Sequence, residues 1–198
     1  MPIKKAHRTR VVTAFLAAAL AGAALPAVAS AADCPVESVS QPFALFGDTN
    51  DYFLAPGGDF ESTLTWSVDG GYAITDADRP DGFGGRRALK LSNGAVATSP
   101  AFCVDVSRVH VRLGAVTNDQ RPFSQLTIEA IPENGVPVPL GTLKGGNYFS
   151  AWTYSPFVSL APALGLLAGD VQQTKLRLTA RGNSWVVDAV SVDPRRGA

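Results

Sequence analysis

Few side chains in this sequence can do chemistry, and their types narrow what that chemistry is. Of the two histidines, His7 stands in a basic N-terminal segment, so His110 is the one histidine of the body of the chain. It sits opposite Val109 and Val111 in an alternating run and beside Arg112, a position that faces water on a strand. No Gly-x-Ser-x-Gly elbow occurs, and the two cysteines, Cys34 and Cys103, are better used on each other, so Ser-His-Asp and Cys-His schemes lack parts. A zinc site lacks ligands for the same reason. Seventeen Asp and Glu residues offer pairs for glycoside hydrolysis, although most carboxylates are simply solvated surface. Asp76-Ala77-Asp78-Arg79-Pro80-Asp81-Gly82 has the carboxylates and glycine of a calcium loop. Pro80, the misplaced Asp81 and the missing Glu at the twelfth position break that pattern, and the segment reads as a polar loop. Tyr148, Phe149, Trp152 and Tyr154 cluster just after Gly145-Gly146. Rings of this kind stack on sugars, and Trp152, Tyr154 and Tyr148 are the candidate glycan-binding residues. The competing use of such rings is core packing, which is assigned to Trp66.

The elements that must position these groups are strands. Leu64, Trp66 and Val68 alternate with Thr63, Thr65 and Ser67; Val109, Val111 and Leu113 with His110 and Arg112; Leu126, Ile128 and Ala130 with Gln125, Thr127 and Glu129; Leu176, Leu178 and Ala180 with Lys175, Arg177 and Thr179. Shorter runs cover Phe43–Phe46, Tyr52–Leu54, Tyr72–Ile74, Ala88–Leu91, Ala95–Thr98, Ala101–Val106, the proline-interrupted Val136–Leu143, and Thr153–Leu160. Ser92-Asn93-Gly94 and Asn134-Gly135 mark turns. Helical periodicity is almost absent; Ala161–Gly169 has room for one short helical turn. About ten short strands with turns between them predict a single all-β, jelly-roll-like antiparallel sandwich.

Lys4, Lys5, Arg8 and Arg10, the apolar run Val11–Leu25 and Ala29-Ser30-Ala31 read as a secretory signal peptide over residues 1–31, with the domain over 32–198. The apolar run is short of the roughly 20 residues a bilayer needs, and no later stretch predicts a membrane span. The four basic residues of the signal leave 13 basic against 17 acidic residues, a formal charge of −4. A mildly acidic chain without a basic cluster is not read as a nucleic-acid binder. In an exported chain Cys34 and Cys103 predict one disulfide.

Two segments stand out. Gly57-Gly58-Asp59-Phe60-Glu61 is followed five residues on by Trp66, and Trp185-Val186-Val187-Asp188-Ala189-Val190-Ser191-Val192 closes the chain. Asp188 shares strand parity with Val190 and Val192, so the alternation places it on the core side, where a carboxylate needs a partner. The pair of segments resembles the galactose-binding-like jelly-roll domains, as in carbohydrate-binding modules that open on Asn-Gly-Asp-Phe-Glu and close on Trp-x-Ile-Asp-Asp-Val-x-Val. Gly57 and Ala189 depart from those motifs. The chain also resembles small secreted actinobacterial proteins with this layout and paired cysteines. The resemblance implies a structural calcium held by Glu61 and Asp188, with Asp59 a weaker ligand, through oxygen donors suited to a hard cation. It also implies a secreted, non-catalytic domain whose partner is extracellular glycan or cell-wall polysaccharide. The alternatives are a structural or protein-interaction domain at the cell surface and, third, a secreted glycoside hydrolase.

Overall fold

The structure, a computed structural model, describes residue 34 and residues 37–44, 47–76, 85–104, 110–118, 123–163 and 172–193. The expected signal segment and residues 77–84 of the acidic loop lie outside these. Thirteen strands and no α-helix occur among the described residues: β1 Phe53–Leu54, β2 Ser67–Asp69, β3 Tyr72–Asp76, β4 Arg87–Leu91, β5 Val96–Thr98, β6 Phe102–Val104, β7 His110–Val116, β8 Gln125–Pro132, β9 Val138–Lys144, β10 Thr153–Tyr154, β11 Val158–Ser159, β12 Gln172–Arg181 and β13 Trp185–Asp193. They pair antiparallel into two sheets. One sheet runs β10-β7-β13-β4-β3, with β1 beside β13 and β11 beside β7; the other runs β2-β5-β12-β8-β9, with β6 beside β12. This is the two-sheet all-β sandwich that the alternation predicts.

Alternating residues of both sheets fill the space between them. Leu126, Ile128 and Ala130 of β8 and Leu176, Leu178 and Ala180 of β12 meet Val111, Leu113 and Ala115 of β7 and Trp185, Val187, Val190 and Val192 of β13. Each large apolar side chain buried this way contributes about 1.5–3 kcal/mol before entropy is counted. Trp66 is part of this core; its ring packs on Phe60, and its Nε1 donates to the Pro56 carbonyl at 3.0 Å.

The strand runs differ from expectation where local bonding competes. Residues 42–44 form a turn rather than a strand. Leu64 and Thr65 precede β2 instead of joining it. Thr153–Leu160 divides into β10 and β11, because Pro156 has no N–H for the ladder. The helical turn is a 3-10 turn over Ala161–Ala163, the rest of that run lying outside the described residues.

The two motif segments meet. The Ala55 N–H donates to the Val190 carbonyl at 2.9 Å, and the Val190 N–H donates to the Gly58 carbonyl at 3.0 Å. A Cβ on Gly58 would stand 2.9 Å from the carbonyl oxygens of both Ala55 and Val190, so only glycine fits this crossing. Cys34 and Cys103 form the expected disulfide, with Cα atoms 5.8 Å apart, and it ties the N-terminal tail to β6. Such a bond is at home in an oxidising compartment.

Candidate functional site

The side chains that converge lie on the outer face of the first sheet, around β7. Val111, Leu113 and Ala115 point into the core, so His110 and Arg112 point out. Both strands beside β7 carry an extra residue at the same level. On one side β10 and β11 pair at Tyr154↔Gly114 and Val158↔Val111, so Ser155, Pro156 and Phe157 face only Leu113 and Arg112. On the other side β13 pairs at Asp188↔Gly114 and Ser191↔Arg112, so Ala189 and Val190 face Leu113 alone. Bulges of this sort bend a strand and re-aim its side chains. Here one of them brings Phe157 beside Arg112.

The Arg112 guanidinium lies between two rings, 4.5 Å from the Phe43 centroid and 5.0 Å from that of Phe157. Its Nη1 donates to Asp48 Oδ2 at 2.5 Å and its Nε to the Ser155 carbonyl at 3.1 Å. Asp48 also accepts the Tyr52 hydroxyl at 2.6 Å and the Asn50 N–H at 3.2 Å. Burial alone would raise the Asp48 carboxyl. Tyr52, Asn50 and Arg112 outweigh it and hold the carboxyl below its ordinary value. Burial, and then Asp48, push the Tyr52 hydroxyl far up, so it stays a donor. Gly47, Asp48, Thr49, Asn50, Arg112 and Phe157 line an open pocket of about 480 Å³. At its edge His110 tilts against Phe157, centroids 5.4 Å apart, and its Nδ1 stands 3.9 Å from Oδ2 of the buried Asp193. Among the described residues the His110 imidazole contacts Phe157 and Asp193 and makes no side-chain hydrogen bond to a serine or cysteine, the contact a nucleophile–base pair requires.

The candidate glycan rings take three different places. Tyr154 is outward in register but only 6% exposed, because Phe43 and Tyr52 of the N-terminal segment cover it and Phe43 packs edge-on at 4.6 Å. The expectation of a solvent-facing Tyr154 is therefore corrected: it supports the floor of the pocket. Trp152 is half-buried just ahead of β10. Tyr148 is 60% exposed, and its hydroxyl donates to the Tyr154 carbonyl at 3.0 Å. The exposed ring beside the polar network is Phe157, at 51%. Phe157, Asp48 and Arg112 do not stand out as site residues in the sequence. The turn Gly47-Asp48-Thr49-Asn50-Asp51 and the outward parity of Arg112 carried the signal; only the fold brings the two together.

The carboxylates expected at calcium are placed as follows. Glu61 Oε1 accepts the N–H groups of Arg86 and Arg87, at 2.6 and 2.5 Å, at the start of β4. Asp59 Oδ1 accepts the Glu61 N–H at 3.4 Å. Asp188 is fully buried, and its Oδ1 accepts the Ala189 N–H at 2.7 Å. The parity argument for Asp188 fails at the bulge. Asp188 lies opposite Gly114, with Val187 opposite the core residue Ala115, so its side chain belongs to the outer face of the sheet. Ala189 has φ of 50°, left-handed for a residue with a Cβ, and the Asp188 carboxylate and the Ser191 hydroxyl, which donates to the Ala189 carbonyl at 3.0 Å, brace it. Among the described residues no three His, Cys, Asp or Glu side chains gather as a metal cage requires, so Asp59 does not complete a triad with Glu61 and Asp188. Glu61 and Asp188 each accept backbone N–H groups, and two carboxylates alone are too few for calcium, which would need backbone carbonyls as well.

No family model and no curated protein matches this chain. Among solved structures the fold is similar to the C-terminal CBM6 of LamC, a marine laminarinase from Zobellia galactanivorans, at 15% identity and a TM-score of 0.41, covering 72% of this chain and 97% of that one. It is similar to the C-terminal family 22 carbohydrate-binding module of Clostridium thermocellum Xyn10B, at 10% identity and 0.43, covering 69% and 90%. It is also similar to the K1 cleaved adhesin domain of Lys-gingipain from Porphyromonas gingivalis W83, at 11% identity and 0.46, covering 74% and 98%. These likenesses concern the sandwich and carry nothing about a ligand.

Proposed function

We propose that this chain is an exported, non-catalytic domain that binds extracellular or cell-wall glycan in the pocket under the Gly47–Asn50 turn. The observation that carries the reading is the exposed Phe157 ring standing beside a hydrogen-bonding network already fixed before any ligand arrives. Sugars offer an apolar ring face together with planar sets of hydroxyls, and a ring next to held donors and acceptors answers both. Arg112 and Asp48 neutralise each other, which suits an uncharged sugar. Their mutual bonds also spare much of the ordering cost of binding. Tyr148 and Trp152, toward the Val116 end of β7, are the side chains that would lengthen the contact along that face. A structural calcium between Glu61 and Asp188, with carbonyl oxygens completing its shell, belongs to the same reading; bound there it would brace the start of β4 against β13.

The test is retention on a panel of insoluble and arrayed neutral polysaccharides. Wild type is expected to be retained by at least one, and Phe157→Ala to lose about tenfold or more. Losing one cation–π contact of about 0.5–1 kcal/mol should lower Tm by no more than about 4 °C. Equal retention of Phe157→Ala and wild type, or no retention of wild type on any of them, would remove the pocket from the account.

A further inference from the structure

The outer face of the second sheet carries charge that the pocket does not use. Leu176, Leu178 and Ala180 fill the core, so Lys175, Arg177, Thr179 and Arg181 of β12 point away from it. The register sets Arg177 opposite Glu129, Thr179 opposite Thr127, Arg181 opposite Gln125, and Gln125 opposite Lys144 of β9. Lys144, Lys175 and Arg181 are exposed, and among the described residues none of them has an ion pair. The neighbouring carboxylates are occupied or peripheral. Glu129 Oε2 accepts Arg177 Nε at 2.8 Å, Glu133 Oε1 accepts the Gln173 N–H at 3.1 Å, and Asp69 stands on the edge strand β2. A cationic stripe therefore runs along β12 on a chain whose expected mature charge is −4. From Lys175 to Arg181 it spans six residue steps, about 20 Å. At the Lys175 end lies an open pocket of about 290 Å³, which Ile131 and Gln173 also line.

We propose that this face binds an anionic polysaccharide lying along β12, with Lys175, Arg181 and Lys144 meeting its carboxylate or phosphate groups. Thr179, Thr127 and Thr142 form one row across three strands, and of these the half-buried Thr127 and the exposed Thr142 are placed to meet sugar hydroxyls. The outward residues of β5, β8, β9 and β12 include no Phe, Tyr or Trp. Phe123, 76% exposed just before β8, has its backbone against Gly182 at the Arg181 end, but one ring gives no run of stacking platforms, so single-stranded nucleic acid is a poor occupant. The outward residues along β12, Lys175, Arg177, Thr179 and Arg181, are charged or hydroxyl-bearing, a poor face to enter a bilayer. The choice of a polysaccharide rests on the glycan reading above; the surface is a different one.

The experiment uses the full mature chain, with polygalacturonate as the anionic probe, xylan as the neutral one, and duplex DNA and phosphatidylserine vesicles as competing polyanions. Wild type should bind polygalacturonate, and the affinity should fall about tenfold or more between about 50 and 200 mM salt. The double variant Lys175→Gln/Arg181→Gln should lose about tenfold in affinity with Tm unchanged, while Phe157→Ala binds polygalacturonate as wild type does. Unchanged binding by the double variant, no binding by wild type, or equal binding to DNA or vesicles overturns the proposal. Polygalacturonate binding together with no neutral glycan retained would overturn the pocket reading alone; neutral retention without polygalacturonate binding would overturn this one alone.

Discussion

At the scale of the residue, Asp48 and Arg112 hold the site. Each is nearly buried, so each depends on the other for neutralisation. The Asp48 carboxyl is held below its ordinary value. Its stabilisation is therefore complete above the unfolded value, about 3.9, and is lost as pH falls through the folded one. Asp48→Asn keeps a side-chain acceptor for Tyr52 but removes the charge. It should lower stability at pH 7 by about 1–3 kcal/mol, as expected for hydrogen bonds to a charged group. The deficit should close as pH falls through the folded value of Asp48. Urea unfolding of both proteins from pH 7 downward reads this directly, and a gap independent of pH would contradict the assignment. The aromatic sandwich around Arg112 was not legible in the sequence, because Phe43 and Phe157 lie far from it in the chain and reach it only through a turn and a bulge.

At the scale of the element, the bulges decide where side chains point. The alternation of β7, β8 and β12 was legible, since each keeps strict period 2 on a half-buried face. That of β13 was not. One extra residue at Ala189 inverts the parity, so Asp188 leaves the side that Val190 and Val192 occupy. Nothing in Asp188-Ala189-Val190 announces this, because alanine is an unusual residue for a left-handed backbone. The bulge nonetheless leaves a test. Ala189→Asn, a residue that tolerates this conformation, should be accepted more readily than Ala189→Val, which should lose about 2 kcal/mol or more from strain in a fully buried position. The urea midpoints of the two variants give the order, and Val better tolerated than Asn would contradict it. The proposed calcium belongs at this scale too. If Glu61 and Asp188 bind it, calcium at 100 times its dissociation constant adds about 2.7 kcal/mol. Thermal unfolding should then shift upward relative to chelator in wild type and much less in Asp188→Asn. Equal melting with calcium and with chelator leaves Asp188 as the brace of the bulge alone.

At the scale of the whole molecule, the sandwich was legible because short alternating runs separated by turn residues have few other ways to bury one face each. The disulfide was legible from a cysteine count of two. It joins residues 69 apart, so the tail that carries Asp48 and Phe43 begins from a fixed point. Reduction, or Cys34→Ser/Cys103→Ser, should lower stability by about 2–4 kcal/mol and Tm by about 10 °C. Glycan retention should weaken as well if the tail is what seats Asp48. What could not be read is which outer face is covered. Tyr154 reads as a solvent-facing ring in the sequence, and a distant N-terminal segment folds over it and covers it. That covering builds the pocket on which the account turns, and backbone amide chemical-shift mapping tests it most directly. A neutral oligosaccharide, drawn from a polysaccharide that retains the protein, would be titrated into the isotopically labelled mature chain. Shifts are expected only at Gly47–Asn50, Arg112 and Phe157 with their immediate neighbours, and none in Phe157→Ala; shifts elsewhere with these residues silent would show that the pocket is not where the sugar binds.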